Sequence, residues 1–201
     1  VLQANAFITS GMAKRCLVIG AETLSRVVDA HDRDSMIYAD GAGAAIIEGS
    51  DSETGMLSYE SGTFAIDEAN YLFFGKSYNQ DLNPNTRYIK MYGRKIYEFA
   101  LSKVPAAMKS CLDKSGIEIN QVKKILIHQA NEKMDEAIIH RFYKLYGQTP
   151  PKDIMPMSIN ELGNSSVATV PTLYDLLTKG QIENHEIHKG DVIMFASVGA
   201  G

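Results

Sequence analysis

Two short motifs hold the residues best suited to chemistry, His128-Gln129-Ala130-Asn131 and Gly163-Asn164-Ser165-Ser166. His128 closes the run Lys123-Lys124-Ile125-Leu126-Ile127, which reads as a buried strand, and Gln129 to Asn131 turn towards a helix. Ligands of α/β proteins gather beyond strand carboxyl ends, where loops and helix N-termini meet. From position alone His128 reads equally as a satisfied core or turn histidine. Asn164 opens a helix, and by itself it is an ordinary capping residue. Together they offer more. An imidazole and a carboxamide are two neutral donors, each able to hydrogen-bond a developing enolate or oxyanion without adding formal charge.

Other suggestive groups carry less. Asp40-Gly41-Ala42-Gly43 has no third glycine and runs into an apolar strand-like segment, so tight turning and close backbone packing explain it better than phosphate binding. His185 and His188, with Glu183 and Glu186, lie in a polar turn without HExxH spacing or a nearby cysteine, so no metal site is expected. Cys16 falls within a predicted strand and Cys111 within a predicted helix, as packing thiols. Ser61, Ser165 and Ser166 lack the G-x-S-x-G elbow of a serine hydrolase.

The elements that must position His128 and Asn164 follow from the pattern of apolar residues. The chain has 201 residues, 45% of them hydrophobic, which is enough for a substantial core. With 20 Lys plus Arg against 24 Asp plus Glu the formal charge is −4, and no basic cluster is interleaved with aromatics, so a nucleic-acid partner is not expected. Neither a membrane span nor a leader pattern is present, and the two cysteines form no disulfide framework; the chain reads as cytoplasmic. A helix-like run opens at Val1 and stops at Ser10-Gly11. Strands buried on both faces are expected at Cys16–Gly20 and Ala44–Ile47, and an alternating one at Gly55–Ser61. Residues 62–86 read as a long loop, followed by a helix from about 88 to 114 that Pro105 should bend or interrupt and Ser115-Gly116 should end. After the strand ending at His128, Asn131 should cap a helix whose buried stripe is Met134, Ile138, Phe142 and Leu145, with Gly147 as its stop. A Pro-rich connector, a helix after Gly163–Ser166 and a last strand at Asp191–Ala196 complete an α/β layering.

Several segments in order carry a resemblance: Ser10-Gly11; Lys14-Arg15-Cys16-Leu17-Val18-Ile19-Gly20-Ala21-Glu22; Asp29-Ala30-His31-Asp32-Arg33; Asp40-Gly41-Ala42-Gly43-Ala44-Ala45; His128-Gln129-Ala130-Asn131; and Gly163-Asn164-Ser165-Ser166-Val167-Ala168-Thr169-Val170-Pro171. The chain resembles the β-ketoacyl-acyl-carrier-protein synthase III family, the initiating condensing enzymes of fatty acid synthesis. The resemblance implies the thiolase fold, layered α/β/α, with residues 1–52 as the end of a first half and 53–201 as most of the second. It implies a homodimeric acyltransferase with no cofactor, using coenzyme A thioesters as substrates and acyl carrier protein as partner. His128 and Asn164 match the histidine and asparagine of a Cys-His-Asn triad. Arg33 matches an arginine at the adenine end of coenzyme A, and Asn131 and Gly93 match residues lining the pantetheine tunnel. Tyr97 stands at a frequent aromatic position. Lys133 stands where a basic residue, usually Arg, docks the carrier protein. Gly199 and Ala200 would supply a backbone N–H for the acyl oxyanion.

The triad's cysteine lies upstream of the segment that begins at Val1, so the chain is expected to be part of a longer protein and inactive alone. Two other readings remain open: a non-catalytic partner subunit of a condensing enzyme, and an acyltransferase of secondary metabolism whose aromatic Ala65–Phe74 stretch shapes its acyl site.

Overall fold

The computed structural model describes residues 1–52 and 54–199. Helix α1 (Leu2–Thr9) leads into β1 (Arg15–Thr23), which pairs antiparallel with β2 (Asp40–Glu48) from Arg15↔Glu48 to Thr23↔Asp40. Burial alternates along β1, as it does for a sheet with one face covered. Leu17, Ile19 and Ile46 are each more than 60% exposed, which corrects the expectation of strands buried on both faces. The inner face carries glycines because another segment lies against it. A Cβ on Gly20 would stand 2.5 Å from the Val167 carbonyl oxygen, one on Gly41 2.8 Å from Ser165 Cβ, and one on Gly43 2.7 Å from Pro171 Cγ. Close packing, not turning, therefore explains the Gly41 and Gly43 pair.

The second unit is built around β5 (Val122–Ile127) and β6 (Val192–Ala196), which pair in parallel. Helices α2 (Gly93–Ser115) and α3 (Glu132–Lys144) cover one face, where Ile125 and Ile127 join Ala100, Met108, Leu112, Ile138 and Phe142 in one core. The short helix α4 (Ile159–Leu162) leads into Gly163, and helix α5 (Thr169–Thr178) covers the other face, where Leu126 meets Leu173 and Leu177. Successive strand residues enter opposite cores, so β5 is apolar over its buried stretch Ile125–Ile127. The result is a helix–sheet–helix sandwich.

Four local expectations are corrected. Gly55–Ser61 forms no strand: among the described residues nothing pairs with its backbone, and alternation alone satisfies no N–H or C=O group. Residues 62–86 are not loop throughout, because β3 (Leu72–Gly75) pairs antiparallel with β4 (Tyr88–Met91), and the helix starts after that strand at Gly93. Pro105 does not interrupt α2. Proline leaves the carbonyl four residues earlier without its helical partner, and here Arg141 Nη1 donates to that Leu101 oxygen at 3.1 Å. Leu145 is exposed at the end of α3, and Ile139, Tyr143 and Asp135 complete the buried face instead.

Candidate functional site

His128 follows β5 directly, and its backbone N–H donates to the Ala196 carbonyl at 2.8 Å, extending the parallel ladder by one residue. The ring thus emerges at the carboxyl edge of the sheet, 9% exposed. Two polar residues fix the turn that follows. Gln129 is fully buried; its Nε2 donates to the Pro156 carbonyl at 2.9 Å and its Oε1 accepts from the Ser158 N–H at 2.9 Å. Asn131 caps α3 as expected, its Oδ1 accepting from the Met134 N–H at 3.2 Å. Gln129 was not singled out in the sequence. The signal was there in its position between a strand and a cap, but its partners lie 27 and 29 residues away.

Asn164 is held by its own backbone. Its N–H donates to the Ile37 carbonyl and its carbonyl accepts from the Ala39 N–H, both at 2.8 Å, so residues 37–39 grip it as a strand would. Gly163, with φ +66°, supplies the left-handed turn before it, where a Cβ would meet Ala39 Cβ at 3.0 Å. The side chain does not cap α5: Asn164 Oδ1 accepts from the Ser166 N–H at 2.8 Å, and that contact orients the amide with its NH₂ available. Ser166 itself has φ +52°, an uncommon backbone for a residue with a side chain.

Burial pushes the His128 imidazole below its ordinary pKa, and a hydrogen bond with the Ser166 backbone opposes that shift only in part. The ring is neutral at pH 7. The site therefore holds a neutral imidazole at the sheet edge and a carboxamide steered by the Ser166 N–H, two uncharged groups able to donate hydrogen bonds.

The remaining expected residues lie in three places. Arg33 is exposed on the 27–39 loop, and Gly93 at the head of α2 approaches the same loop, with Asp34 Oδ2 3.7 Å from where its Cβ would be. Tyr97 is 39% exposed one turn along α2. Asn131 and Lys133 are exposed at the start of α3. Gly199 follows β6 with open space around it, and Ala200 lies outside the described residues. Among the described residues, no three His, Cys, Asp or Glu side chains gather to hold a metal, and no helix is long and apolar enough to cross a membrane.

A parallel strand pair sandwiched between helix layers, with polar donors at its carboxyl edge, is the arrangement of thiolase-like enzymes, and solved structures agree. The chain superposes on β-ketoacyl-[acyl carrier protein] synthase III from Thermus thermophilus with a TM-score of 0.81 at 26% identity, covering 99% of this chain and 60% of that one. The 3-oxoacyl-[acyl-carrier-protein] synthase III of Aquifex aeolicus gives a TM-score of 0.77 at 29% identity, covering 98% and 58%. Family models named 3-oxoacyl-[acyl-carrier-protein (ACP)] synthase III and its C-terminal counterpart match residues 1–64 and 112–201. The chain belongs to that family. Its relatives include the β-ketoacyl-[acyl-carrier-protein] synthase III of Prochlorococcus marinus, 31% identical over all of this chain and 59% of the relative, and that of Porphyra umbilicalis, 34% identical over all of this chain and 61% of the relative. The chain thus spans about three-fifths of the length of the relatives it matches.

Proposed function

We propose that the complete protein condenses an acyl-CoA primer with malonyl-acyl-carrier protein, and that His128 and Asn164 stabilise the enolate formed in that reaction. The primer's acyl group first passes to a cysteine thiolate outside the described residues, forming an acyl–sulfur bond and releasing coenzyme A. The malonyl thioester then loses CO₂, and the electron pair of the broken C–C bond becomes an enolate with its charge on the thioester oxygen. His128 and Asn164 donate hydrogen bonds to that oxygen. The enolate carbon attacks the acyl-cysteine, a new C–C bond forms, and the thiolate leaves. The observation that supports this reading is the pair itself: a buried, neutral imidazole at the end of β5, and a carboxamide whose Oδ1 is held by the Ser166 N–H so that its NH₂ is left to donate. Neutrality matters because a cationic donor would also bind the malonyl carboxylate that must depart.

Within this reading residues 1–52 end the first thiolase-like half and residues 53–201 form most of the second. Arg33 binds the adenine end of coenzyme A. Gly93, Tyr97 and Asn131 line the pantetheine path, Lys133 docks the carrier protein, and Gly199 with Ala200 serves the acyl oxyanion. The whole enzyme acts without a cofactor as a cytoplasmic homodimer in fatty acid initiation. Incubating the full-length protein with acyl-CoA and malonyl-acyl-carrier protein tests this. The expected result is an acyl-enzyme by intact mass followed by a 3-oxoacyl carrier protein; a full-length protein that is never acylated overturns it.

A further inference from the structure

Lys90 lies in β4, and among the described residues no contact ties it directly to His128 or Asn164. Its side chain is 3% exposed, and its Nζ stands 2.6 Å from Asp29 Oδ2 and 2.8 Å from Asp32 Oδ2. The Tyr78 ring covers the ammonium, with its centroid 3.7 Å away. Asp29 is as buried as its partner and fully satisfied: Oδ1 accepts from Ser77 Oγ and the His31 N–H, and Oδ2 from the Tyr78 N–H. Burial would raise the Asp29 pKa, but Lys90 and those donors hold the carboxyl well below the usual carboxylate range. Both members of the pair are therefore charged.

These contacts anchor one end of the 27–39 loop, and the other end grips Asn164. Asp32 Oδ1 caps the turn that carries Arg33 by accepting from the Asp34 N–H at 3.0 Å. The Ile89 N–H donates to the Val27 carbonyl at 2.8 Å, and Tyr38 Oη donates to Met91 Sδ at 3.6 Å, so β4 lies along the loop from Val27 to Tyr38. Ile37 and Ala39 then hold the Asn164 backbone. One buried cation thus stands between two carboxylates at the base of a strap that displays Arg33 and ends on Asn164.

We propose that Lys90 is a positioning residue: through its buried bridge to Asp29 and Asp32 it sets the 27–39 strap, and so aligns both Arg33 and the Asn164 carboxamide. The inference rests on the roles proposed above for those two residues. Without the ammonium, the buried Asp29 carboxylate and the partly buried Asp32 carboxylate lose the cation they share, and the strap must move to hydrate them.

The test uses the full-length protein carrying Lys90→Met, which keeps the length of the side chain and removes its charge, with Lys90→Arg as the conservative variant. Two quantities are read: the KM for acyl-CoA against that for the same acyl group on pantetheine, and the rate of malonyl-thioester decarboxylation. Lys90→Met should raise the KM for acyl-CoA but not for acyl-pantetheine, and should slow decarboxylation about 10- to 100-fold, as displacement of a catalytic group by an ångström does. Lys90→Arg should recover much of both. If Lys90→Met does not fold, Asp32→Asn keeps the Asp29 pair and should show the same two effects at smaller size. Unchanged KM ratio and decarboxylation in whichever variant folds overturn the inference. Arg33→Ala and Asn164→Ala separate it from the underlying reading: if they too leave both quantities unchanged, the roles of Arg33 and Asn164 fail; if they change them and the Lys90 and Asp32 variants do not, only the inference about Lys90 fails.

Discussion

The sandwich around β5 and β6 and the strap-bearing region around β1 and β2 are held together by different forces. In the first, Ile125, Leu126, Ile127, Ile138, Phe142 and Leu173 are all below 2% exposed, and packing of apolar groups from both faces sets the strand's position. In the second, the outer strand face is exposed, and position comes from glycines that admit the 165–171 segment and from the buried Lys90–Asp29–Asp32 bridge. His128 sits on the first frame and Asn164 is gripped by the second. The site forms where an apolar frame meets a polar one, so it is sensitive to damage in either, through different routes.

Asp135 is the exception within the apolar frame, and changing it gives the largest expected effect. It is fully buried on α3, and among the described residues neither carboxyl oxygen has a hydrogen-bond partner. Burial pushes its pKa up to about 8, with Glu132 and Glu136 adding to the rise. The folded state therefore holds one proton more than the unfolded state between about pH 4 and about pH 8, and stability falls as pH rises through that window. Asp135→Asn should abolish this slope and gain on the order of 5 kcal/mol at pH 9, at about 1.4 kcal/mol per pKa unit. Urea melts at pH 5 and pH 9 read it directly, and an unchanged slope would show that Asp135 is not held protonated.

Phe142→Ala should cost about 3–5 kcal/mol in the same melts through loss of buried area and the cavity left behind. Gly41→Val should cost less stability, about 1–3 kcal/mol, because β2 can give slightly at its exposed face. In the full-length enzyme, however, it should depress turnover more than Phe142→Ala does, since its Cβ presses on Ser165 beside Asn164. Should the two variants reverse that order in turnover, the contrast between the frames fails.

The same contrast decides what could be read from the sequence. The β5 strand, the Asn131 cap and the Gly116 and Gly147 stops are local patterns, and the structure has each in place. What local pattern does not carry is pairing across the chain. Lys90 falls within the helix expected from about residue 88, but in the structure it lies in a strand, where Asp29, 61 residues away, neutralises its buried ammonium. Pro105 looked like a break until Arg141 answered the carbonyl it frees. The exposed face of β1 reads as apolar in sequence because composition records what a strand could bury, not what lies over it. Ser166, whose N–H orients the Asn164 carboxamide, reads in sequence only as a serine without a hydrolase elbow.

The most direct test of the central claim is the rate of malonyl-thioester decarboxylation by the full-length protein carrying His128→Ala or Asn164→Ala, measured alongside acylation by acyl-CoA. Each substitution should lower decarboxylation by about 10²–10³-fold, the usual loss for one oxyanion donor, while acylation persists. Decarboxylation that proceeds undiminished in both variants would contradict the assignment of these two residues to the enolate.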